Sequence, residues 1–200
     1  QFVETWIPNY HAFLDQLPNL LRTAVSQDLL LVGCGTGNEI ERLVDQRQVW
    51  NITGVDPSPE MIKQAEEKFE GYDNVMLIEG LVSDLDVKKH YGAATLLLVL
   101  HFLEDNGDKV ALLQEIGKRL LSGAPLILLD ITGNKEQVKE NLAILRLLLH
   151  DGIEVEHVDQ RLHRIANKLL YVPEERLIQL CEDAGFERPV RFFQSTIYMG

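Results

Sequence analysis

The stretch LLLVGCGTGNE, residues 29–39, decides the fold of this 200-residue chain. An apolar run leads into Gly33, Gly35 and Gly37, which occupy every second position. A buried strand followed by a glycine-rich turn is typical of the first strand-to-helix connection in a doubly wound α/β sheet. Glycine adopts positive φ readily and has no Cβ to block a ligand lying on the backbone. The stretch therefore predicts a ligand at the carboxyl end of the first strand.

Apolar segments of strand length alternate with helix-length stretches up to about residue 130. This alternation predicts an α/β fold with a mostly parallel, doubly wound Rossmann-like sheet and helices on both faces. We expect strands at 29–32, 50–55, 75–79, 94–98 and 125–130, and helices at 38–46, 59–69 and 108–121.

The segments outside this core also have helical patterns. Residues 1–27 predict one or two N-terminal helices, and residues 134–170 predict a helical insertion, or cap, after the fifth strand. A further helix and a strand pair over 191–198 complete the expected single domain, 1–200. The apolar face of the insertion must be buried against the rest of the domain or against a second subunit, so a homodimer is compatible with the sequence.

Charge and cysteine content narrow the partners. Asp and Glu number 31 against 19 Lys and Arg, and the net charge of −12 disfavours a nucleic-acid partner. Cys34 and Cys181 form no cluster with histidines at metal-ligand spacing, so no metal is expected. The sequence shows neither a membrane-spanning apolar run nor a signal peptide, which favours a cytoplasmic location.

The second expected strand ends in TGVDPSPEM, residues 53–61, which places Asp56 nineteen residues after Gly37. A carboxylate at that strand end can accept hydrogen bonds from both vicinal hydroxyls of a ribose, and it would repel a 2′-phosphate. The glycine turn and Asp56 together indicate an adenosine-bearing ligand. Both a dinucleotide and S-adenosylmethionine fit this description.

The spacing of the glycines favours the second ligand. A glycine at position 38 would complete the dinucleotide fingerprint G-x-G-x-x-G, but the residue there is Asn38. The expected helix also opens with Glu39 and Glu41, whose charges would oppose a pyrophosphate at its N-terminus. A ligand carrying an ammonium and a sulfonium group fits this turn better.

These two stretches resemble the motifs of class I S-adenosylmethionine-dependent methyltransferases, with matching order and spacing over roughly residues 28–130. The resemblance implies cofactor contacts at the methionine part, the ribose and the adenine. Carried over by position, these are Gly33, Cys34, Gly35 and Gly37, then Asp56, then Pro57, Ser58 and Met61. The alternative is a tight turn without a ligand, which would have no need of Asp56.

After the third strand the chain departs from the family pattern, which usually has an acidic residue directly after the glycine. Leu81 stands at that position, so the backbone of Leu81 and Val82 would contact the adenine, with Ser83 or Asp84 as substitutes. For Asp84, the alternative is a solvated carboxylate at a helix start.

The fourth strand ends where the family places the reacting methyl group. By this resemblance Leu97 and Leu98 lie near the cofactor and His101 lies close to the substrate. His101 is the candidate general base, because a histidine can take a proton at neutral pH. The alternative is a packed, hydrogen-bonded residue.

A sulfonium methyl group is already activated, so its transfer requires no fixed catalytic residue. We therefore expect a methyltransferase acting on a small-molecule substrate, and the sequence leaves the acceptor open. A non-catalytic S-adenosylmethionine-binding module and an NAD-dependent oxidoreductase are the alternatives from other classes.

The insertion and the C-terminal stretch EDAGF to STIYMG are similar to the group that includes carboxy-S-adenosylmethionine synthase, an enzyme of transfer-RNA modification. In that relative an arginine of the insertion binds the carboxylate of the ligand, and Arg161 falls at a comparable position as a candidate substrate-binding residue. Alternatively, Arg161, Arg164 and Lys168 form a solvated helix face.

Overall fold

The structure is a computed structural model that describes residues 6–44, 49–149 and 154–200. Its strands are β1 Asp28–Val32, β2 Asn51–Asp56, β3 Val75–Glu79, β4 Ala93–Leu97, β5 Leu126–Ile131, β6 Gln194–Ser195 and β7 Tyr198–Met199. They form one sheet in the order β3-β2-β1-β4-β5-β7-β6. Strands β1 to β5 are parallel, and β7 pairs antiparallel with both β5 and β6. The strand order reverses between β1 and β4, so ligands are expected at the carboxyl ends of these two strands.

Six α-helices accompany the sheet in the described ranges: α1 Tyr10–Leu20, α2 Pro59–Lys68, α3 Asp108–Arg119, α4 Lys135–Leu148, α5 Val155–Lys168 and α6 Glu174–Asp183. Local signals set their starts. Ser58 caps α2, where its hydroxyl accepts from the Met61 N–H, and Pro59 supplies the fixed φ of a first helical position. Asn134 and Gln137 form a reciprocal capping box at α4.

The sheet is covered on both faces, which explains the continuous apolar run of β1. Leu29 and Leu31 pack in one core with side chains of α1, α2, α4 and α5. Leu30 and Val32 pack in a second core with side chains of α3 and α6. Successive side chains of a strand point to opposite faces, so a strand buried on both sides needs apolar residues throughout. The predicted fold, with helices on both faces and a helical insertion after β5, is confirmed.

The predicted helix at 38–46 is wrong. The structure has a short 3₁₀ turn at Ile40–Arg42, and residues 45 and 46 lie outside the described ranges. Ile40 and Leu43 are both fully buried, and their spacing of three matches the period of a 3₁₀ turn. The side chain of Glu39 is also buried, so this segment is anchored in the core.

The insertion consists of α4 and α5. Leu142 and Leu145 of α4 are buried, whereas Leu148 is exposed. Residues 1–5 of the expected N-terminal helices and 150–153 of the expected insertion lie outside the described ranges. Among the described helices, none has both the length and the apolar character needed to cross a membrane.

Candidate functional site

The glycine bend joins β1 to the 3₁₀ turn, and all three of its glycines have positive φ: 68° at Gly33, 52° at Gly35 and 80° at Gly37. A Cβ on Gly33 would lie 2.4 Å from Val99 Cγ2, and one on Gly37 would lie 2.4 Å from Phe69 Cε2. A Cβ on Gly35 would meet no protein atom within 4 Å. The fold itself therefore requires glycine at two positions, and only Gly35 faces open space.

Asp56 ends β2 and lies directly against this bend. Its Oδ2 accepts the Gly35 N–H at 3.0 Å, and its Oδ1 accepts the Ser58 N–H at 2.9 Å. Each carboxylate oxygen can accept more than one hydrogen bond, so capacity for ribose hydroxyls remains. The structure thus brings together the two parts of the site that the sequence predicted.

The candidates for the adenine lie after β2 and β3, which are adjacent in the sheet. Pro57, Met61 and Leu81 are exposed, Ser58 is half-buried and caps α2, and Val82 is buried. Exposed apolar side chains such as Met61 and Leu81, which is 57% exposed, are available to cover a planar ring.

Asp84 has a local structural partner. Its Oδ2 accepts the Leu81 N–H at 2.8 Å, which favours the interpretation as a carboxylate at a helix start. Arg119, at the end of α3, donates to the carbonyl oxygens of Ser83 and Leu85 at 3.2 Å and 3.0 Å. This buried arginine, which the sequence did not suggest, fixes the loop behind the adenine candidates.

The end of β4 has an unusual backbone conformation. Leu98 has φ of 62°, a left-handed conformation that costs a non-glycine residue about 1–3 kcal/mol. Its N–H donates to the Leu129 carbonyl at 2.7 Å, and the next residue, Val99, packs over Gly33. Leu97 is buried and Leu98 half-buried. The strand end and the glycine bend are therefore in direct contact.

His101 lies just beyond, in the 3₁₀ turn Leu100–Phe102, and is 6% exposed. Its Nδ1 lies 2.7 Å from Asp130 Oδ1, and its ring centre lies 4.2 Å from that of Phe102. Asp130, at the end of β5, is the functional candidate that sequence reasoning missed. Its position in the sequence could have indicated it, because it comes at the end of a predicted buried strand. The carboxyl end of that strand, β5, lies next to the carboxyl end of β4.

The prediction that Glu39 is a negative charge at the start of a helix is wrong. Glu39 is 4% exposed, and its Oε2 accepts the Thr95 hydroxyl at 2.5 Å. Burial raises the pKa of Glu39 to about 7, and the Thr95 hydrogen bond opposes that shift. Because no α-helix begins here, charges at a helix N-terminus no longer argue against a pyrophosphate. The spacing of the glycines alone then favours S-adenosylmethionine over a dinucleotide.

Cys34 is buried in the bend and is not suited to nucleophilic catalysis. Burial, followed by the nearby carboxylates of Asp56 and Glu39, raises the pKa of its thiol to about 12. The uncharged thiol is a poor nucleophile at neutral pH. Its predicted place beside the cofactor is consistent with a packing role only.

Arg161 lies on α5 of the insertion, far along the chain from the glycine bend. Its guanidinium carbon is 4.9 Å from the centre of the Trp6 ring, and burial lowers the pKa of the guanidinium. The solvated-face interpretation is therefore wrong for Arg161, although Arg164 and Lys168 are exposed. Burial raises the pKa of the Tyr198 hydroxyl to about 12. The charge of Arg161 opposes this rise, and that of Asp130 adds to it.

A separate cleft of about 720 Å³ lies between α3, α6 and the C-terminal strands. Cys181, Phe186 and Phe192 contribute to its lining, and none of the predicted site residues does. This cleft is distinct from the glycine bend.

The chain is similar to a family model, a curated relative and two solved structures. A family model described as a methyltransferase domain matches residues 30–126. Over 96% of its length the chain is 27% identical to carboxy-S-adenosyl-L-methionine synthase of Helicobacter pylori, of which it covers 84%. The cyclopropane synthase MmaA2 from Mycobacterium tuberculosis has a similar fold, with a TM-score of 0.66 and 17% identity over 91% of this chain and 62% of that one.

A second solved structure is the plantazolicin methyltransferase BpumL, in complex with a monoazolic desmethylPZN analog and S-adenosylhomocysteine. Its TM-score is 0.57, at 18% identity over 90% of this chain and 61% of that one. The chain thus spans somewhat less than two thirds of both solved chains. The region matched by the family model, residues 30–126, includes the glycine bend and Asp56. The similarities to methyltransferases and to carboxy-S-adenosylmethionine synthase that the sequence predicted are both confirmed. The methyltransferase-domain match covers just under half of the chain, and together with the relative and the shared fold it supports a class I S-adenosylmethionine-dependent methyltransferase.

Proposed function

We propose that the chain transfers a methyl group from S-adenosylmethionine to a small-molecule acceptor, with the cofactor lying over Gly35 and its ribose bound by Asp56. The observation that carries this placement is the open backbone at Gly35, beside a carboxylate with spare acceptor capacity. The family's cofactor therefore fits the residues present. Calorimetric titration with S-adenosylhomocysteine and with NAD tests it, and a preference for NAD would overturn it.

The remaining predicted contacts extend from this point. Gly33, Cys34 and Gly37 surround the methionine part, while Pro57, Ser58, Met61, Leu81 and Val82 surround the adenine. The packing of Val99 on Gly33 supports a place for the methyl group near Leu97 and Leu98, since it joins the bend to the end of β4.

When bound, S-adenosylmethionine supplies a methyl group on a positively charged sulfur, activated for displacement. The chain must hold the acceptor in line at about 3 Å and exclude water. Leu97 and Leu98 provide an apolar wall at this point, which keeps water out. His101 takes a proton from the acceptor where the acceptor must lose one.

The acceptor is proposed as a small molecule because the plantazolicin methyltransferase was solved with a monoazolic desmethylPZN analog. The net charge of −12 continues to disfavour nucleic acid. The single-domain organisation, the cytoplasmic location and a homodimer stay predictions. Localising a tagged chain in cells and measuring its mass in solution would test the last two.

A second candidate function is that of a carboxy-S-adenosylmethionine synthase. The 27% identity along nearly the whole chain favours it, as does the half-buried Arg161, whose charge interacts with Tyr198. A guanidinium binds a carboxylate through two parallel hydrogen bonds. Mass spectrometry of ligand released from the purified protein separates the two functions. A carboxylated ligand would replace the methyltransferase proposal, and tight binding without transfer to any acceptor would indicate a non-catalytic module.

Asp56→Ala is expected to weaken binding of S-adenosylhomocysteine by about 1.5 kcal/mol, roughly tenfold, because hydrogen bonds from the ribose to a charged group are lost. Calorimetric titration measures this change. Asp73→Ala, at an exposed aspartate in the turn before β3, is the matched control and should keep full affinity.

The alanine variant also loses the hydrogen bonds that hold the bend, so a second ligand isolates the ribose contact. The 2′-deoxy analogue of S-adenosylhomocysteine should bind the wild type less tightly than the parent compound, whereas the variant should bind both about equally. Equal discrimination by both proteins would remove Asp56 from the ribose.

A further inference from the structure

Asp130, near the end of β5, accepts two backbone N–H groups and contacts one imidazole ring. Its Oδ2 accepts the Leu100 N–H at 2.7 Å, and its Oδ1 accepts the Ile131 N–H at 2.7 Å. The His101 ring provides the third contact, with Nδ1 2.7 Å from Oδ1. Asp130 is 2% exposed, so these partners replace the water that a carboxylate would otherwise bind.

A buried lysine holds the same turn from its other side. The ammonium of Lys109 donates to the carbonyls of Leu100, Leu103 and Leu170, the latter two at 2.8 Å and 2.7 Å. Its charge also interacts with that of Asp130. Both the N–H and the carbonyl of Leu100 are thus bound by buried side chains of opposite charge. This arrangement fixes the backbone that carries His101.

The hydrogen bond to Asp130 selects one tautomer of the neutral ring. Both carboxylate oxygens already accept a backbone N–H, and an ionised carboxylate offers no proton. Nδ1 must therefore carry the ring proton, which leaves the lone pair on Nε2. We infer that Asp130 is a positioning residue, which holds His101 with Nε2 ready to accept a proton from the methyl acceptor. This role rests on the methyl transfer proposed above.

Asparagine at position 130 tests the inference because one carboxylate oxygen becomes an amide NH₂. If the NH₂ replaces Oδ1, it opposes the Ile131 N–H and turns His101 Nδ1 into an acceptor. If it replaces Oδ2, it opposes the Leu100 N–H and leaves the tautomer unchanged. Each orientation leaves one buried backbone donor unpaired, so neither is strongly preferred. Asp130→Asn should therefore contain a mixture of tautomers.

The experiment combines ¹⁵N NMR of the His101 ring at about pH 8.5 with methyl-transfer kinetics. The probe is S-adenosylhomocysteine in the NMR samples, and the fastest acceptor from a panel of small phenols and thiols in the kinetics. The wild type should show the Nδ1–H tautomer. Asp130→Asn should show both tautomers and a kcat lowered about tenfold, because the wrong tautomer cannot accept the proton and a neutral amide stabilises the imidazolium less than a carboxylate does. KM and cofactor affinity should stay within about twofold of wild type. In a His101→Ala background, Asp130→Asn should lower kcat no further.

Asp105→Asn is the matched control, because Asp105 follows the same turn but pairs with Arg176 at 2.8 Å. It should keep the wild-type tautomer and kcat. An Nε2–H tautomer in the wild type would overturn the inference, even if Asp130→Asn failed to fold. A folded Asp130→Asn variant in which only the tautomer or only kcat changes would overturn it as well. The NMR result needs no turnover. A protein that shows the Nδ1–H tautomer but methylates nothing would contradict the proposed function and leave the geometry standing.

Discussion

Replacing Gly35 with valine is expected to lower the affinity for S-adenosylhomocysteine at least about 100-fold, or about 2.7 kcal/mol, in a chain that still folds. The new side chain would enter the space over the bend, where no protein atom lies within 4 Å and where we place the ligand. Positive φ at this position adds a strain of about 1–2 kcal/mol. Calorimetric titration measures the affinity, and thermal unfolding measures the strain.

Gly71→Val separates the two effects. Gly71 also has positive φ, at 89°, and open space around it, but it lies in the turn after α2. This control should lose a similar amount of stability and keep wild-type affinity. A Gly35→Val variant within about threefold of wild-type affinity, or an equal loss in Gly71→Val, would remove the ligand from the bend.

The strands were predictable because parallel strands buried on both faces appear as continuous apolar runs. Each of the five predicted strands agrees with the structure within one residue at both ends. The glycine bend and Asp56 were predictable for a related reason. They directly follow the first two strands, and the carboxyl ends of parallel strands meet at one edge of the sheet.

The helix predicted at 38–46 failed because its sequence pattern is ambiguous at short range. Ile40 and Leu43 fit one face of an α-helix, but a spacing of three fits a 3₁₀ turn equally well. Tertiary contacts decided the outcome. Glu39 is bonded to Thr95 in β4, and no local pattern could have indicated that a carboxylate would enter the core.

The partners that orient the candidate site were missed because they are distant in the chain. Asp130 is 29 residues from His101, and Thr95 is 56 residues from Glu39. The sequence gives each residue type but not the rotation of its side chain. The same limit applies to Arg161, where helix spacing indicated a solvated face and the ring of Trp6 covers the guanidinium.

Glu39→Gln is expected to be more stable than wild type at pH 8. The gain in free energy of unfolding over wild type should be about 3 kcal/mol larger at pH 8 than at pH 4.5. Burial raises the pKa of Glu39 from 4.5 to about 7 in the folded state. Between these values the folded state keeps a proton that the unfolded state has released, so wild-type stability falls as pH rises. Below pH 4.5 both states are protonated and the penalty is absent.

Glutamine removes this penalty because it is uncharged at every pH, and its amide oxygen can still accept the Thr95 hydroxyl. The difference between variant and wild type should grow from about pH 4.5 to pH 7 and stay constant above that range. Urea unfolding at a series of pH values measures it. Comparing the two proteins at each pH cancels the titration of all the other groups that both chains share.

Glu66→Gln on α2 provides the control, since Glu66 is exposed and its carboxylate stays hydrated in both states. Its free energy of unfolding should follow that of wild type across the whole pH range. A constant difference between Glu39→Gln and wild type from pH 4.5 to pH 8 would show that the Glu39 carboxylate reaches water or a cation. The buried contact with Thr95 would then not describe the protein in solution.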